Sequence, residues 1–481
     1  MLKYSTSSSA GMNKALHNNV VNIMALRRSS LPYIFIWILY YAWVVAFTTW
    51  WTASPVTEMV FSTGLRSMIH SINLISSAVF IFIIRKDWFV KSSRVGALLI
   101  VAGMSIFLVI PWDSIQLITV IAIGITLGIV NISILIPFVF ALNNTEKFYS
   151  VVGANMIISL IMIAQSNFNP DHALGNKEQL ISLVLLIVPL CATLFFKKSS
   201  IAAEEQDAEP TGMKSSIYVT LLYNCVNAIL CKGVGKGVLD ITAGLQGNDI
   251  YHWYYIGGLL GCFIYIGVYA LSGKAVIWLC NITFSCIAMG LLCNSFASDI
   301  PGMGYAFAIL LGIGCTIGMI NMYYILAVVG KKYNSMRYLR LSILFIGVCG
   351  GVTGVIAGNV INNINTNRVS IIASLITAAF LLLFLALSPF LSQAQSFGDW
   401  AKDSGKIEID SGNDAMFTKY HLSRREIEVC KLMLEGYTLR QISGILSIAY
   451  STVNTYCTSS YRKLNINSKT ELIMLFKEYV K

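Results

Sequence analysis

The sequence predicts an all-α protein in two parts: a bundle of about twelve transmembrane helices, arranged six and six, and a four-helix soluble domain at the C-terminus. Three observations carry this. Hydrophobic residues make up 56% of the 481-residue chain and charged residues 12%, against roughly 25% charged in an ordinary soluble domain, so a bilayer is the expected solvent. Apolar runs long enough to span about 30 Å of hydrocarbon recur up to Leu391. Beyond Leu391 the composition turns abruptly polar.

Residues 1–30 form a polar tail that ends in Arg27 and Arg28, and an apolar run follows from Leu31 to about Ala53. No small-residue cleavage site follows it, which predicts an uncleaved first span. Five more runs lie near 62–84, 95–112, 114–142, 149–168 and 179–196. The loop 197–216 holds Glu204, Glu205, Asp207, Glu209 and Pro210, an acidic segment that cannot enter hydrocarbon. Six further runs lie near 216–239, 250–271, 275–297, 302–330, 341–361 and 369–391.

With the N-terminus inside, the inner loops before the last span carry seventeen Lys and Arg residues, whereas the outer loops carry Lys177 and Arg368 alone. This asymmetry places both termini in the cytoplasm. Small residues four apart, as in Gly124 and Gly128, Gly257 and Gly261, and Gly314 and Gly318, predict close helix packing inside the bundle. The six-plus-six division by a long inner loop resembles the major facilitator superfamily in topology. Arg85, Lys86, Asp87 and Arg94 keep the charges of that family's loop after the second span, without its spacing.

Ionisable residues inside spans are costly and mark candidate sites. Arg66 and His70 share one face of the second span with Ser62, Asn73 and Ser77, while Lys232, Lys236 and Asp240 share one face of the seventh. In the inferred topology these cations gather in the outer half. They predict either a vestibule for a small anionic ligand or interfacial snorkelling with Lys236 paired to Asp240.

A linker, 392–420, leads into a domain over 421–481. Three capping boxes mark helix starts there: Ser423 with Glu426, Thr438 with Gln441, and Ser468 with Glu471. Ile427, Val429, Cys430, Leu432, Met433 and Leu434 supply the first apolar face, Ile442, Ile445 and Leu446 the second, and Val453, Cys457 and Leu464 the third. Two short helices joined by a tight Ser447-Ile448-Ala449 turn, the second helix polar outside, form the unit that places a recognition helix in the DNA major groove.

Leu422, Arg425, Glu426, Glu428, Val429, Gly436, Ile442, Leu446, Thr452, Val453, Lys463, Leu464, Thr470 and Glu471 match the LuxR-type DNA-binding domain in register. By this resemblance Asn454, Thr455 and Thr458 face base edges, and Thr452, Tyr456 and Lys469 lie against phosphates. Arg440, Ser459, Arg462 and Lys463 complete the expected DNA-binding set, and the last helix resembles the family's dimerisation helix. Ala449 and Ser460 stand where the family usually has a capping Ser and a core aliphatic. From Lys419 to Lys481, ten Lys and Arg face five Glu, a basic balance that suits DNA.

No nucleophile and base pair, phosphate loop or metal-ligand spacing stands out, so the expectation is no enzyme, no metal and no cofactor. No receiver domain precedes the helix-turn-helix. The expected protein is a one-component regulator of the bacterial inner membrane whose bundle senses a ligand or membrane state, with double-stranded DNA and the lipid bilayer as partners and a homodimer on DNA. The alternative expectation is a transporter with an appended regulatory DNA-binding domain.

Overall fold

The computed structural model describes residues 26–47, 65–110, 112–165, 176–198, 215–247, 249–271, 275–297, 299–300, 302–332, 335–349, 366–387, 420–434, 437, 439, 442–443, 446, 448, 450–466, 471–472 and 475. The described residues form helices joined by short turns, with no strand among them, and the chain divides into two compact units, Met1–Trp400 and Ala401–Lys481. Each of the twelve predicted spans has its helix. The first six are α1 (Leu31–Phe47), α2 (Leu65–Ile83), α3 (Phe89–Val109), α4 (Asp113–Phe140), α5 (Asn144–Gln165) and α6 (Asn176–Cys191). The seventh is α7 (Ser215–Ala228), a π-helical segment at Ile229–Gly235, and α8 (Lys236–Gln246). Then come α9 (Asp249–Leu271), α10 (Ala275–Ser295), α11 (Met303–Lys332), α12 (Met336–Leu344) with a second π segment at Phe345–Cys349, and α13 (Thr366–Ala386). Six of these helices are long and apolar enough to cross a membrane, and α2, α6 and α13 contain shorter apolar stretches.

Within each half, small residues let backbones meet. A Cβ at Gly257 would collide with the Ile309 carbonyl, and one at Gly312 with the Tyr254 carbonyl, so α9 and α11 are in backbone contact. Gly314 and Gly318 do the same for α11 against Thr283, Ile287 and Asn227, and Gly128 abuts Ser76 and Ser77. The described glycine pairs therefore serve packing inside the bundle.

The halves meet where α5 packs on α9 and α11, and where α2 packs on α12. An aromatic cluster crosses this seam. Trp37 stacks on Phe138 at 3.7 Å and lies edge-on to Tyr323, while Phe148 stacks on Tyr269 at 4.1 Å.

One end of the bundle is basic, and its cations dock on backbone carbonyls at or within about a turn of helix C-termini. Three of these bonds join the halves: Lys147 to Ala327 O at 3.0 Å, Lys331 to Leu142 O at 2.9 Å, and Arg340 to Ile81 O at 3.3 Å. Arg94 bonds the carbonyls of Thr193, Leu194 and Phe196 at the end of the sixth span. Arg27 reaches Ala141 O and pairs with the buried Glu146 at 2.7 Å. Glu146 also closes a capping box with Asn143, accepting its N–H at 2.8 Å while Asn143 Oδ1 accepts from Glu146 N at 2.7 Å. These positions put positive charge against the negative end of each helix dipole.

The second unit has its own core of Leu422, Val429, Cys430, Met433, Ile442, Val453, Cys457, Leu464 and Leu472. Ile427, Leu432, Leu434 and Leu446 pack on it while half-buried. Ile445, and the predicted boxes at Thr438 and Ser468, lie outside the described residues.

Candidate functional sites

The predicted DNA face is built on α14 (Arg424–Leu434) and α15 (Tyr450–Leu464). The capping box that opens α14 is formed: Ser423 N donates to Glu426 Oε2 at 2.6 Å, and Glu426 N to Ser423 Oγ at 3.4 Å. Ile442 and Leu446 share one helical turn, with Leu446 N bonded to Ile442 O at 2.9 Å. The turn into α15 is closed twice, by Ile448 N to Ser443 O at 3.2 Å and by Ser443 Oγ to Ile448 O at 2.8 Å. Asn465, in left-handed backbone at φ 55°, ends α15, and Ile466 N then reaches Tyr461 O at 3.0 Å.

Asn454, Thr455 and Thr458 stand exposed on α15. The Thr455 and Thr458 hydroxyls donate back to Ser451 O and Asn454 O, each at 2.9 Å. Their methyl groups and oxygen lone pairs are what remains for an outside partner. The Asn454 amide makes no hydrogen bond to any described residue, which keeps its donor and acceptor available. Arg462 is exposed, and Thr452 and Tyr456 are half-buried. Arg440 and Lys469 lie outside the described residues.

Ser459 and Lys463, expected among the DNA-contacting set, are engaged inside the domain. Glu426 Oε1 accepts from Ser459 Oγ at 2.6 Å, and Glu426 Oε2 accepts from Lys463 Nζ at 2.7 Å. Lys463 also donates to His421 O at 3.1 Å. Burial works to raise the Glu426 pKa, but the Lys463 ammonium, the Ser459 hydroxyl and the Ser423 amide outweigh it and hold the carboxyl down at about 2. One carboxylate thus ties the start of α14 to α15. This second role of Glu426 goes beyond its capping box, and its signal in the sequence is the four-residue spacing of Ser459 and Lys463, which puts both on one face. Ser460, the core departure, is fully buried and satisfies its hydroxyl on Tyr456 O at 2.8 Å. A cleft of about 410 Å³ lies beside α15, lined by Met433, Tyr437, Leu439, Asn454, Cys457, Thr458 and Tyr461.

In the bundle, Arg66 and His70 fall on α2, Lys232 in the first π segment and Lys236 at the start of α8. The side chains of all four lie outside the described residues. Asp240 is exposed on α8 and accepts a 2.7 Å hydrogen bond from Tyr251 OH. Deeper on α2, Asn73 Oδ1 accepts from Asn131 Nδ2 at 2.7 Å and from Ser77 Oγ at 3.4 Å, which ties α2 to α4. Among the described residues, no cluster of His, Cys, Asp and Glu could hold a metal ion.

Comparison with known proteins agrees with both units. Residues 420–476 match the family described as bacterial regulatory proteins, luxR family. The transcriptional regulatory protein DegU of Brevibacillus brevis is 38% identical over 53 residues, which cover 11% of this chain and 22% of that protein. The chain thus spans less than a quarter of that relative. The human organic anion transporter TETRAN is similar in structure, with a TM-score of 0.55 at 11% identity over 74% of this chain and 100% of that one. A variant of the E. coli fucose:proton symporter FucP has a TM-score of 0.53 at 14% identity, covering 77% of this chain and 100% of its own. At such identities these likenesses concern the fold alone. The chain therefore carries a LuxR-family regulatory domain at its C-terminus, fused to a membrane bundle with a major-facilitator-like fold.

Proposed function

We propose that this protein is a one-component transcriptional regulator of a bacterial inner membrane, with both termini cytoplasmic. In this reading the bundle binds a small anionic ligand through Arg66, His70, Lys232 and Lys236, with Asp240 at the rim. The bundle changes state on binding, and the helix-turn-helix changes its occupancy of double-stranded DNA. The supporting observation is the surface of α15, where Asn454, Thr455 and Thr458 stand exposed while Glu426 holds the neighbouring face of that helix, at Ser459 and Lys463, to α14. Asn can pair bidentately with adenine and Thr can place its methyl against that of thymine. The last helix pairs two copies on DNA.

Control from the bundle requires the ligand to bind its two states with different affinity. The basic end, with three bonds between halves, supplies the element that differs between states. That end is cytoplasmic in this reading, so the bundle is closed toward the cytoplasm and the vestibule faces outward. No catalysed reaction is involved. A second reading, a transporter that regulates its own operon, is favoured by the fold of the bundle and is separated by uptake of a labelled solute.

The experiment is chromatin immunoprecipitation with sequencing on the full chain, on a chain lacking residues 1–391, and on an Arg66→Gln, Lys236→Gln variant. The full chain should occupy discrete sites in a ligand-dependent way. The truncated chain should bind the same sites without the response, and the double variant should keep basal occupancy while losing it. The same ligand response from the truncated chain would sink the sensor reading.

A further inference from the structure

The chain enters the helix-turn-helix core through three residues whose path is fixed. Tyr420 is half-buried and Leu422 buried, and both pack on the core of the second unit. Between them His421 is exposed and turns through left-handed backbone at φ 52°. A residue with a Cβ is uncommon in that region, and it stays there where its surroundings over-determine it. Here they do. The His421 carbonyl accepts from Lys463 Nζ at 3.1 Å, while its two neighbours are anchored in the core.

Lys463 gives the turn a reach beyond itself. It lies in the last turn of α15, and its ammonium also donates to Glu426 Oε2 at 2.7 Å. The other oxygen of that carboxylate accepts from Ser459, one turn earlier on α15. One ammonium therefore joins the carbonyl at which the linker arrives, the carboxylate that opens α14, and the recognition helix. Asn454 and Thr458 stand on the same helix, roughly 14 and 8 Å before Lys463 by the rise per residue. A change in the direction of the chain at His421 is thus passed to α15 through a single side chain. A linker ending in an unfastened loop would pass on its length and not its direction.

We propose that His421 is a positioning residue through which the bundle governs DNA binding: its left-handed turn, clasped by Lys463, converts the direction of the linker into the setting of α15 against α14. The proposal rests on the sensor reading and adds the point at which control enters the domain. It uses the backbone of His421 and not its imidazole. Three substitutions separate the two. Glycine keeps left-handed backbone at no steric cost, proline fixes φ near −65° and forbids it, and valine, branched at Cβ, strongly disfavours it.

The test is the DNA affinity of the full chain in nanodiscs, on the duplex recovered by binding-site selection. The bundle is either intact or opened at its basic end by Lys331→Ala with Arg340→Ala, which removes two of the three bonds between halves; Arg340→Ala alone serves if the pair does not fold. Opening the basic end should shift Kd by roughly fivefold or more in the wild-type background. His421→Gly should keep that shift and His421→Pro should abolish it. The polypeptide 401–481 carrying either change should bind the duplex as its wild type does, a result that a merely structural role for residue 421 would not give. If His421→Pro does not fold, His421→Val decides, with the shift reduced. A shift that survives in His421→Pro or His421→Val overturns this proposal alone and leaves the sensor reading standing. A shift lost equally in His421→Gly overturns it as well, since the imidazole would then be the active part. No shift in the wild-type background overturns the sensor reading and this proposal together.

Discussion

Replacing Glu426 by Gln isolates the charge that ties α14 to α15. The side chain keeps its shape and one acceptor oxygen for Ser459, and loses the attraction to Lys463, which stands 2.7 Å away, together with the acceptor for Ser423 N. A carboxyl lowered from 4.5 to about 2 corresponds to about 3 kcal/mol at neutral pH. Lys463 is 34% exposed, and solvent screening trims the expected loss to about 2 kcal/mol. The sign follows from the depressed value. The contribution is complete above the unfolded pKa of about 4.5 and disappears as the pH falls through the folded value near 2. The assay is urea denaturation of the polypeptide 401–481, a compact unit with its own core, followed by far-UV circular dichroism from about pH 7 down to pH 2. The gap between wild type and Glu426→Gln should be about 2 kcal/mol at neutral pH and close on acidification through that window. A gap that stays constant with pH would refute the argument, because the variant would then be acting through shape rather than charge.

Three other outcomes are expected. Asn454→Ala should relax base preference at one position of each half-site by roughly 1 to 3 kcal/mol in a binding-site selection, whereas Lys469→Ala should lower the salt slope of DNA binding by about one unit without changing the preferred site. Gly257→Val pushes a branched side chain into the Ile309 carbonyl and should lower bundle stability in detergent by about 1 to 3 kcal/mol; an unchanged Tm would mean that α9 and α11 are not in backbone contact. Arg27→Ala strips the buried Glu146 of its cation and should cost about 2 to 3 kcal/mol in the same assay, with Arg27→Lys restoring only part, since one ammonium cannot reproduce the planar guanidinium's bonds to both Glu146 oxygens.

Much of the architecture was readable because each element announces itself locally. Runs of about twenty apolar residues mark spans without knowledge of their neighbours, and the Ser423–Glu426 box marks a helix start within four residues. The missing parts depend on distant partners. Glu426 reaches Ser459 and Lys463 across 33 and 37 positions, and no local pattern encodes that pairing. Glu146 and Lys147 lie between the apolar runs 114–142 and 149–168, yet both are fully buried, because Ala327 of the opposite half and Arg27 meet them there. The π segments at 229–235 and 345–349 follow no repeat; the glycines in them, Gly233, Gly235 and Gly347, permit such geometry without specifying it.

The carbonyl-docked cations give the basic end a double accounting. During synthesis, flanking Lys and Arg residues are counted by the insertion machinery and set which way a span enters the membrane. In the folded bundle, Arg27, Arg94, Lys331 and Arg340 also bond carbonyls at the ends of other spans, and Lys147 bonds one about a turn before the end of α11. Orientation and assembly are therefore not independent here. Charge editing meant to invert one span would also strip a neighbouring helix of such a bond, and a chain forced into the reverse orientation would arrive without the parts that fasten its two halves.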